Sequence, residues 1–195
     1  MDDRYFFDAL APTWDQNEVL STPEKVEKIL DFLKLECGQS VLDLGSGTGV
    51  LLPYIAKRIG EKGKITAVDY SQGMLQRARE KYSDLTPRPK FLCLDFETEN
   101  ISGEFDRIIL YSVYPHLHTP IDTLKWLHKV NLKDGGIITI AFPCNEDFIN
   151  NIHKERHSES DRLLSAEELS KYLNNEGLKS EVISATEDAY VINIT

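Results

Sequence analysis

Residues Val41-Leu42-Asp43-Leu44-Gly45-Ser46-Gly47-Thr48-Gly49 run an apolar stretch, broken only by one carboxylate, into three alternating glycines. Such a loop lets the backbone turn sharply from strand to helix and bring its N–H groups close to a ligand with no Cβ in the way. The spacing narrows the ligand: a dinucleotide fingerprint would need a glycine where Val50 stands, and no Lys-Ser/Thr pair follows to make a P-loop. Two more carboxylates arrive in comparable places. Ile65-Thr66-Ala67-Val68 ends in Asp69, suited to accept hydrogen bonds from both hydroxyls of a ribose, and Phe91-Leu92-Cys93-Leu94 ends in Asp95-Phe96, a carboxylate for an exocyclic amine beside a ring that can stack on adenine. The shared chemistry is that of holding a nucleoside.

Groups for proton transfer come later in the chain. Tyr111 through His118 leaves a fourth apolar run, and there His116, with Tyr114 beside it, is the candidate base or substrate contact, since imidazole exchanges protons near neutral pH. His153 and His157 have the i, i+4 spacing that would put both on one helix face, where His116 or Asp161 could complete a metal site. Each group also has a plain structural role open to it. Asp43 could cap loop amides, Asp69 the next helix and Asp95 a surface turn; His116 could bond backbone around Pro115, and His153 and His157 could sit on a solvated helix.

Elements that would position these residues follow from periodicity. Short apolar runs at Ser40 to Leu44, Lys64 to Val68, Lys90 to Leu94, Phe105 to Leu110 and Gly136 to Phe142 read as strands buried on both faces, as in a parallel sheet. Between them, Val50 to Ile59, Gln72 to Tyr82 (with Ser71 as N-cap) and Ile121 to Leu132 read as helices, whereas Thr98 to Glu104 is too short for a full one. Ser21-Thr22-Pro23-Glu24 opens an earlier helix with Val26, Ile29, Leu30 and Leu33 on one face. Late in the chain Ser165-Ala166-Glu167-Glu168 has capping-box spacing, and Glu181 to Ala185 and Tyr190 to Thr195 form an antiparallel hairpin. The fold class is α/β: seven strands, mostly parallel, helices on both faces.

The whole chain sets outer bounds. Its 195 residues suit one domain, and 41% hydrophobic with 28% charged residues is an ordinary globular balance. A formal net charge of −10 works against nucleic acid as a partner, because phosphate binding relies on clustered Lys and Arg. Acidic residues follow Met1 where a signal peptide needs basic ones, and no apolar run reaches bilayer length, so a cytoplasmic protein without membrane contact is expected. Cys37, Cys93 and Cys144 are odd in number and far apart, which suggests free thiols.

On the glycine loop, Asp69 and Asp95-Phe96, the chain resembles the class I S-adenosylmethionine-dependent methyltransferases over roughly Ser40 to Phe142. The resemblance implies a Rossmann-like fold, S-adenosyl-L-methionine as cofactor and S-adenosyl-L-homocysteine as product. It assigns Gly45, Ser46, Gly47 and Gly49 to the methionine part of the cofactor, Asp43 to organising that loop, Asp69 to the ribose and Asp95 with Phe96 to the adenine; Tyr70, Met74 and Tyr111 complete the cofactor set. The aromatic segment from Tyr5 to Asp15 is similar to the N-terminal lid of small-molecule methyltransferases, so residues 1–22 form a lid with Tyr5 and Trp14, joined by His153 and His157, on the substrate side, and 23–195 the catalytic core. Core packing of Phe6, Phe7 and Trp14 fits the same segment. The acceptor is expected to be a small molecule, quinone-type or another metabolite, handled by a monomer or homodimer with no metal. Two alternatives stay open: a non-catalytic sensor of the cofactor or its product, and a metal-dependent or metalloid methyltransferase using Cys144 and the histidines.

Overall fold

The computed structural model describes residues 3–17, 21–155 and 162–195. Its strands are β1 (Ser40–Leu44), β2 (Lys64–Asp69), β3 (Lys90–Cys93), β4 (Phe105–Tyr111), β5 (Leu132–Phe142), β6 (Ser180–Thr186) and β7 (Ala189–Ile194), in the spatial order β3-β2-β1-β4-β5-β7-β6. The first five pair in parallel, while β7 runs antiparallel to both β5 and β6. Successive side chains on a strand point to opposite faces. Val41 and Ile109 accordingly join one apolar cluster, with α3 (Pro23–Leu33) and α4 (Leu52–Ile59), and Leu42, Leu44, Ile108 and Leu110 join the other, with α6 (Pro120–Trp126) and α8 (Ala166–Asn175). That double burial explains why these strands read as continuous apolar runs.

The helix starts are set by local chemistry. Thr22 caps α3 by accepting from the N–H of Lys25 with Pro23 in the first turn, and Ser165 and Glu168 form the full capping box of α8. Ser71 caps α5 (Gln72–Lys81) through Met74 N–H. Before these lie α1 (Asp3–Leu10) and α2 (Trp14–Asn17), and α7 (Glu146–Glu155) follows β5. No helix among the described residues is long and apolar enough to cross a membrane.

Strand order reverses between β1's two neighbours, so β2 and β4 diverge from it and open a crevice at their carboxyl ends. Two elements depart from the expectations above. The helix predicted to run through Leu132 ends at Trp126 and continues as one wide π-type turn, Leu127–Asn131, and β5 begins at Leu132 instead of Gly136. The wide turn aims Asn131 inward, where its amide donates to the carbonyls of Ile101 (2.8 Å) and Gly103 (2.9 Å) and ties down the helix-free loop before β4. The β4–β5 register is irregular between Phe105 and Arg107, opposite the Gly135-Gly136 pair that hid the early start of β5. Asn131 is fully buried. Asn131→Ala should therefore lower stability by about 1–3 kcal/mol, read by urea unfolding; a change within error would show that the loop is held by something else.

Candidate active site

A cavity of about 500 Å³ opens at the carboxyl ends of β1, β2 and β4, within the size range of small-ligand and cofactor sites. Asp43, Gly45, Ser46, Gly47, Asp69, Tyr70, Met74, Asp95, Phe96 and Tyr111 all line it, together with Trp14 and His116. Most of the residues expected to bind a nucleoside thus converge on one space. Gly47, at φ +54°, faces open room: a Cβ there would meet no protein atom within 4 Å, so the loop leaves its ligand side clear. Gly49 differs, since it does not line the cavity and a Cβ on it would press within 2.7 Å of Leu52. Its role is close packing of the loop on α4.

Two buried carboxylates stand behind this loop. Asp69 accepts the Gly47 N–H on one oxygen (2.8 Å) and the Ser71 N–H on the other (2.9 Å), fixing both the glycine loop and the entry to α5. Burial pushes its carboxyl up to about 6, against the pull of those N–H bonds. Asp43 is 1% exposed and its Oδ2 has no hydrogen-bond partner; burial first, and the charge of Asp69 second, push it up to about 8. Asp95 has the turn role: its oxygens accept from Glu97 N–H (3.0 Å) and Thr98 Oγ1 (3.1 Å), while it also lines the cavity.

Beyond β4 the chain reverses at Ser112, whose φ of +57° is left-handed and whose N–H donates to the Ala141 carbonyl. A non-glycine residue in that region stores about 1–3 kcal/mol of strain and belongs to a set enriched at functional sites. Past Ser112, Tyr114–His116 form a single 3-10 turn that points the two side chains different ways: His116 lines the cavity and Tyr114 does not. Tyr114 is buried in the apolar cluster with Phe142 and Tyr190, its hydroxyl pushed up to about 12 by burial, so the expectation that it contacts substrate is corrected. Tyr5 likewise does not line the cavity and is exposed. Cys144 is buried in the core, away from the cavity. His157 and Asp161 fall outside the described residues, as does the side chain of His153, and among the described residues no three His, Cys, Asp or Glu side chains converge as metal ligands.

Sequence reasoning missed the residues that fasten the N-terminal segment. Asp8 Oδ1 accepts from Ser71 Oγ (2.6 Å) and Gly73 N–H (2.9 Å), at the start of α5. Asp15 accepts from Thr48 Oγ1 (2.6 Å) and Lys81 Nζ (2.8 Å). Between these two clasps the Phe7 ring meets Trp14, Tyr70 and His116 at centroid distances of 5.7, 6.1 and 5.8 Å. Glu97 was missed as well: it accepts the N–H groups of His118 (3.0 Å) and Thr119 (2.7 Å) and lies 3.1 Å from His118 Nδ1, joining the loop after β3 to the loop after β4. Its lowered pKa follows from those hydrogen bonds, which outweigh its burial. The one signal in the sequence was the aromatic, acid-bearing character of residues 5–15.

A family model described as a methyltransferase domain matches residues 41–136. A malonyl-[acyl-carrier protein] O-methyltransferase of Priestia megaterium is 32% identical over 119 residues, 61% of this chain and 40% of the relative. The 2-phytyl-1,4-naphtoquinone methyltransferase of a Nostoc species is 32% identical over 155 residues, 74% of this chain and 67% of the relative. The chain thus spans less than half of the first relative and about two thirds of the second. Among solved structures, a SAM-dependent methyltransferase from Aquifex aeolicus superposes with a TM-score of 0.75 at 24% identity, covering 96% of this chain and 97% of that one. Its sheet, its glycine loop and these relatives agree, and the chain belongs to the class I S-adenosylmethionine-dependent methyltransferases, with their Rossmann-like fold.

Proposed function

We propose that this chain transfers a methyl group from S-adenosylmethionine to a small-molecule acceptor, with residues 23–195 as the catalytic core and 1–22 as a lid. One observation carries the reading: Gly47 leaves room for a ligand in the same cavity where the buried Asp43 Oδ2 has no partner. A buried carboxylate without a partner is costly until a cation or donor reaches it. The cofactor brings an ammonium and a sulfonium, so its charge fits that donor set.

When bound, the cofactor would supply an electrophilic methyl on a cationic sulfur, with the neutral thioether as the leaving group. The chain's own task is placement and charge. Asp43 and the backbone of residues 45–47 would hold the amino-acid end, the remaining lone pairs of Asp69 the ribose, and Asp95 with Phe96 the adenine. Tyr70, Met74 and Tyr111 would flank it. His116, facing the cavity from the loop after β4, would take the proton that the acceptor releases. The lid would exclude water through Phe7 and Trp14.

The relatives are named for a naphthoquinone and for a malonyl acyl-carrier protein, both on the side of metabolite chemistry. The formal net charge of −10 supports the same side against nucleic acid. The deciding assay incubates the protein with S-adenosylmethionine and a panel of metabolite acceptors. Acceptor-dependent appearance of S-adenosylhomocysteine supports an enzyme; tight cofactor binding with no turnover across the panel would favour a sensor.

Two predictions follow from the charges. His116→Ala should lower kcat by about 10²-fold or more with S-adenosylhomocysteine affinity unchanged; equal losses in both would assign His116 to cofactor binding. For Asp43, the unfolded chain releases the proton near pH 4 and the folded chain holds it to about pH 8, so the fold binds more protons in between and its stability falls as pH rises. Asp43→Asn should be more stable than the parent at pH 8 by a few kcal/mol, on the order set by a shift of several pH units, with the gap closing toward pH 4. Thermal unfolding across that range without such convergence would contradict the assignment.

A further inference from the structure

Away from the glycine loop the cavity is walled by rings. Phe7, Trp14, Tyr111 and His116 all line it, and the Phe7 ring meets both Trp14 and His116 edge to face. Leu117 adds aliphatic surface, and the Tyr111 hydroxyl lies 3.1 Å from Ser21 Oγ at the end of the N-terminal segment. Planar apolar walls with a few hydroxyls favour a flat ring, through area burial and offset or edge contacts.

Charge is the second constraint. Five carboxylates line the cavity, those of Asp15, Asp43, Asp69, Asp95 and Glu97, whereas Lys81 is the one Lys or Arg among the described residues that does so. Its ammonium is already 2.8 Å from Asp15 Oδ2. Arg4 stacks over the ring of Tyr70 and does not line the cavity. With Asp43, Asp69 and Asp95 given to the cofactor, a carboxylate or phosphate leaving water for this space would still face Glu97 and the Asp15–Lys81 pair, with no Arg or Lys fork to replace its hydration. An uncharged acceptor meets neither obstacle. A cationic one would find the acids left over by the cofactor already engaged, Asp15 by Lys81 and Glu97 by the N–H groups of His118 and Thr119.

We propose, resting on the methyl-transfer reading above, that the acceptor is an uncharged aromatic ring gripped by Phe7, Trp14, Tyr111 and His116, and that the acidic lining excludes anionic acceptors. The walls set shape and the carboxylates set charge. Ser21, next to Tyr111, is then a position from which an added cation would relax the exclusion.

The test uses the full chain and three naphthalene probes of matched size: 2-naphthol, 2-naphthoate and 2-naphthylmethylammonium, titrated calorimetrically at pH 7. S-adenosylhomocysteine is titrated first, and each probe is then added to that complex. Neutral 2-naphthol should bind about tenfold or more tightly than the other two, and Ser21→Lys should narrow its lead over 2-naphthoate by about tenfold. If 2-naphthoate or the ammonium probe equals 2-naphthol, or if 2-naphthol does not bind the complex, the neutral-ring assignment fails while the donor reading stands. Failure of S-adenosylhomocysteine itself to bind would overturn both.

Discussion

Asp69 ties together the two loops that make the cavity. One of its oxygens holds Gly47 and the other Ser71, so the turn out of β1 and the turn out of β2 share a single buried carboxylate. Asp8 reaches the hydroxyl of that same Ser71, which links the N-terminal segment to the joint. Asp43 stands behind the loop as a second buried carboxyl, whose Oδ2 has no hydrogen-bond partner. The fold therefore keeps two acidic side chains buried, and burial pushes both carboxyls up. Such a cost persists where a ligand of opposite charge relieves it.

The rest of the architecture serves that joint. Parallel pairing of β2, β1 and β4 brings three strand ends to one side of the sheet, and burial on both faces keeps them in register. Helix α5 begins at the joint, with Ser71 as its cap and Asp8 accepting the Gly73 N–H, so the N-terminal segment is anchored where the cavity wall starts. The cavity wall divides along the same lines: strand ends bring the glycine loop and the acids, while the N-terminal segment and the loop after β4 bring Phe7, Trp14 and His116. Those two segments meet only in three dimensions, through Phe7 with His116, and Ser21 reaches Tyr111 at the end of β4 in the same way.

That division also explains what could be read from the chain. The strands, the glycine loop and the acids at 43, 69 and 95 were legible because each is a local pattern: apolar runs of strand length, glycines two apart, an acid inside or closing a run. The capping box at Ser165 and the C-terminal hairpin were legible for the same reason. Asp8 and Asp15 were not, since their partners lie 63 and 65 residues away for Asp8, and 33 and 66 for Asp15. His116 was the leading candidate in the sequence, with Tyr114 two residues before it. The single 3-10 turn they share separates them, one facing the cavity and the other the core, after a left-handed Ser112 of which serine gives no warning. Gly49 looked like a ligand contact for the opposite reason: the alternating pattern does not say which glycine faces the ligand and which packs on a helix.

The central claim is that a proton-bearing Asp43 awaits a cation in this cavity. Calorimetric titration with S-adenosylmethionine at pH 7, in two buffers of different ionisation enthalpy, counts the protons exchanged on binding. With Asp43 held near 8 in the free protein, arrival of the cationic cofactor should ionise it and release a substantial fraction of one proton, up to about one, into the buffer. Binding with no proton release, or with proton uptake, would contradict the account.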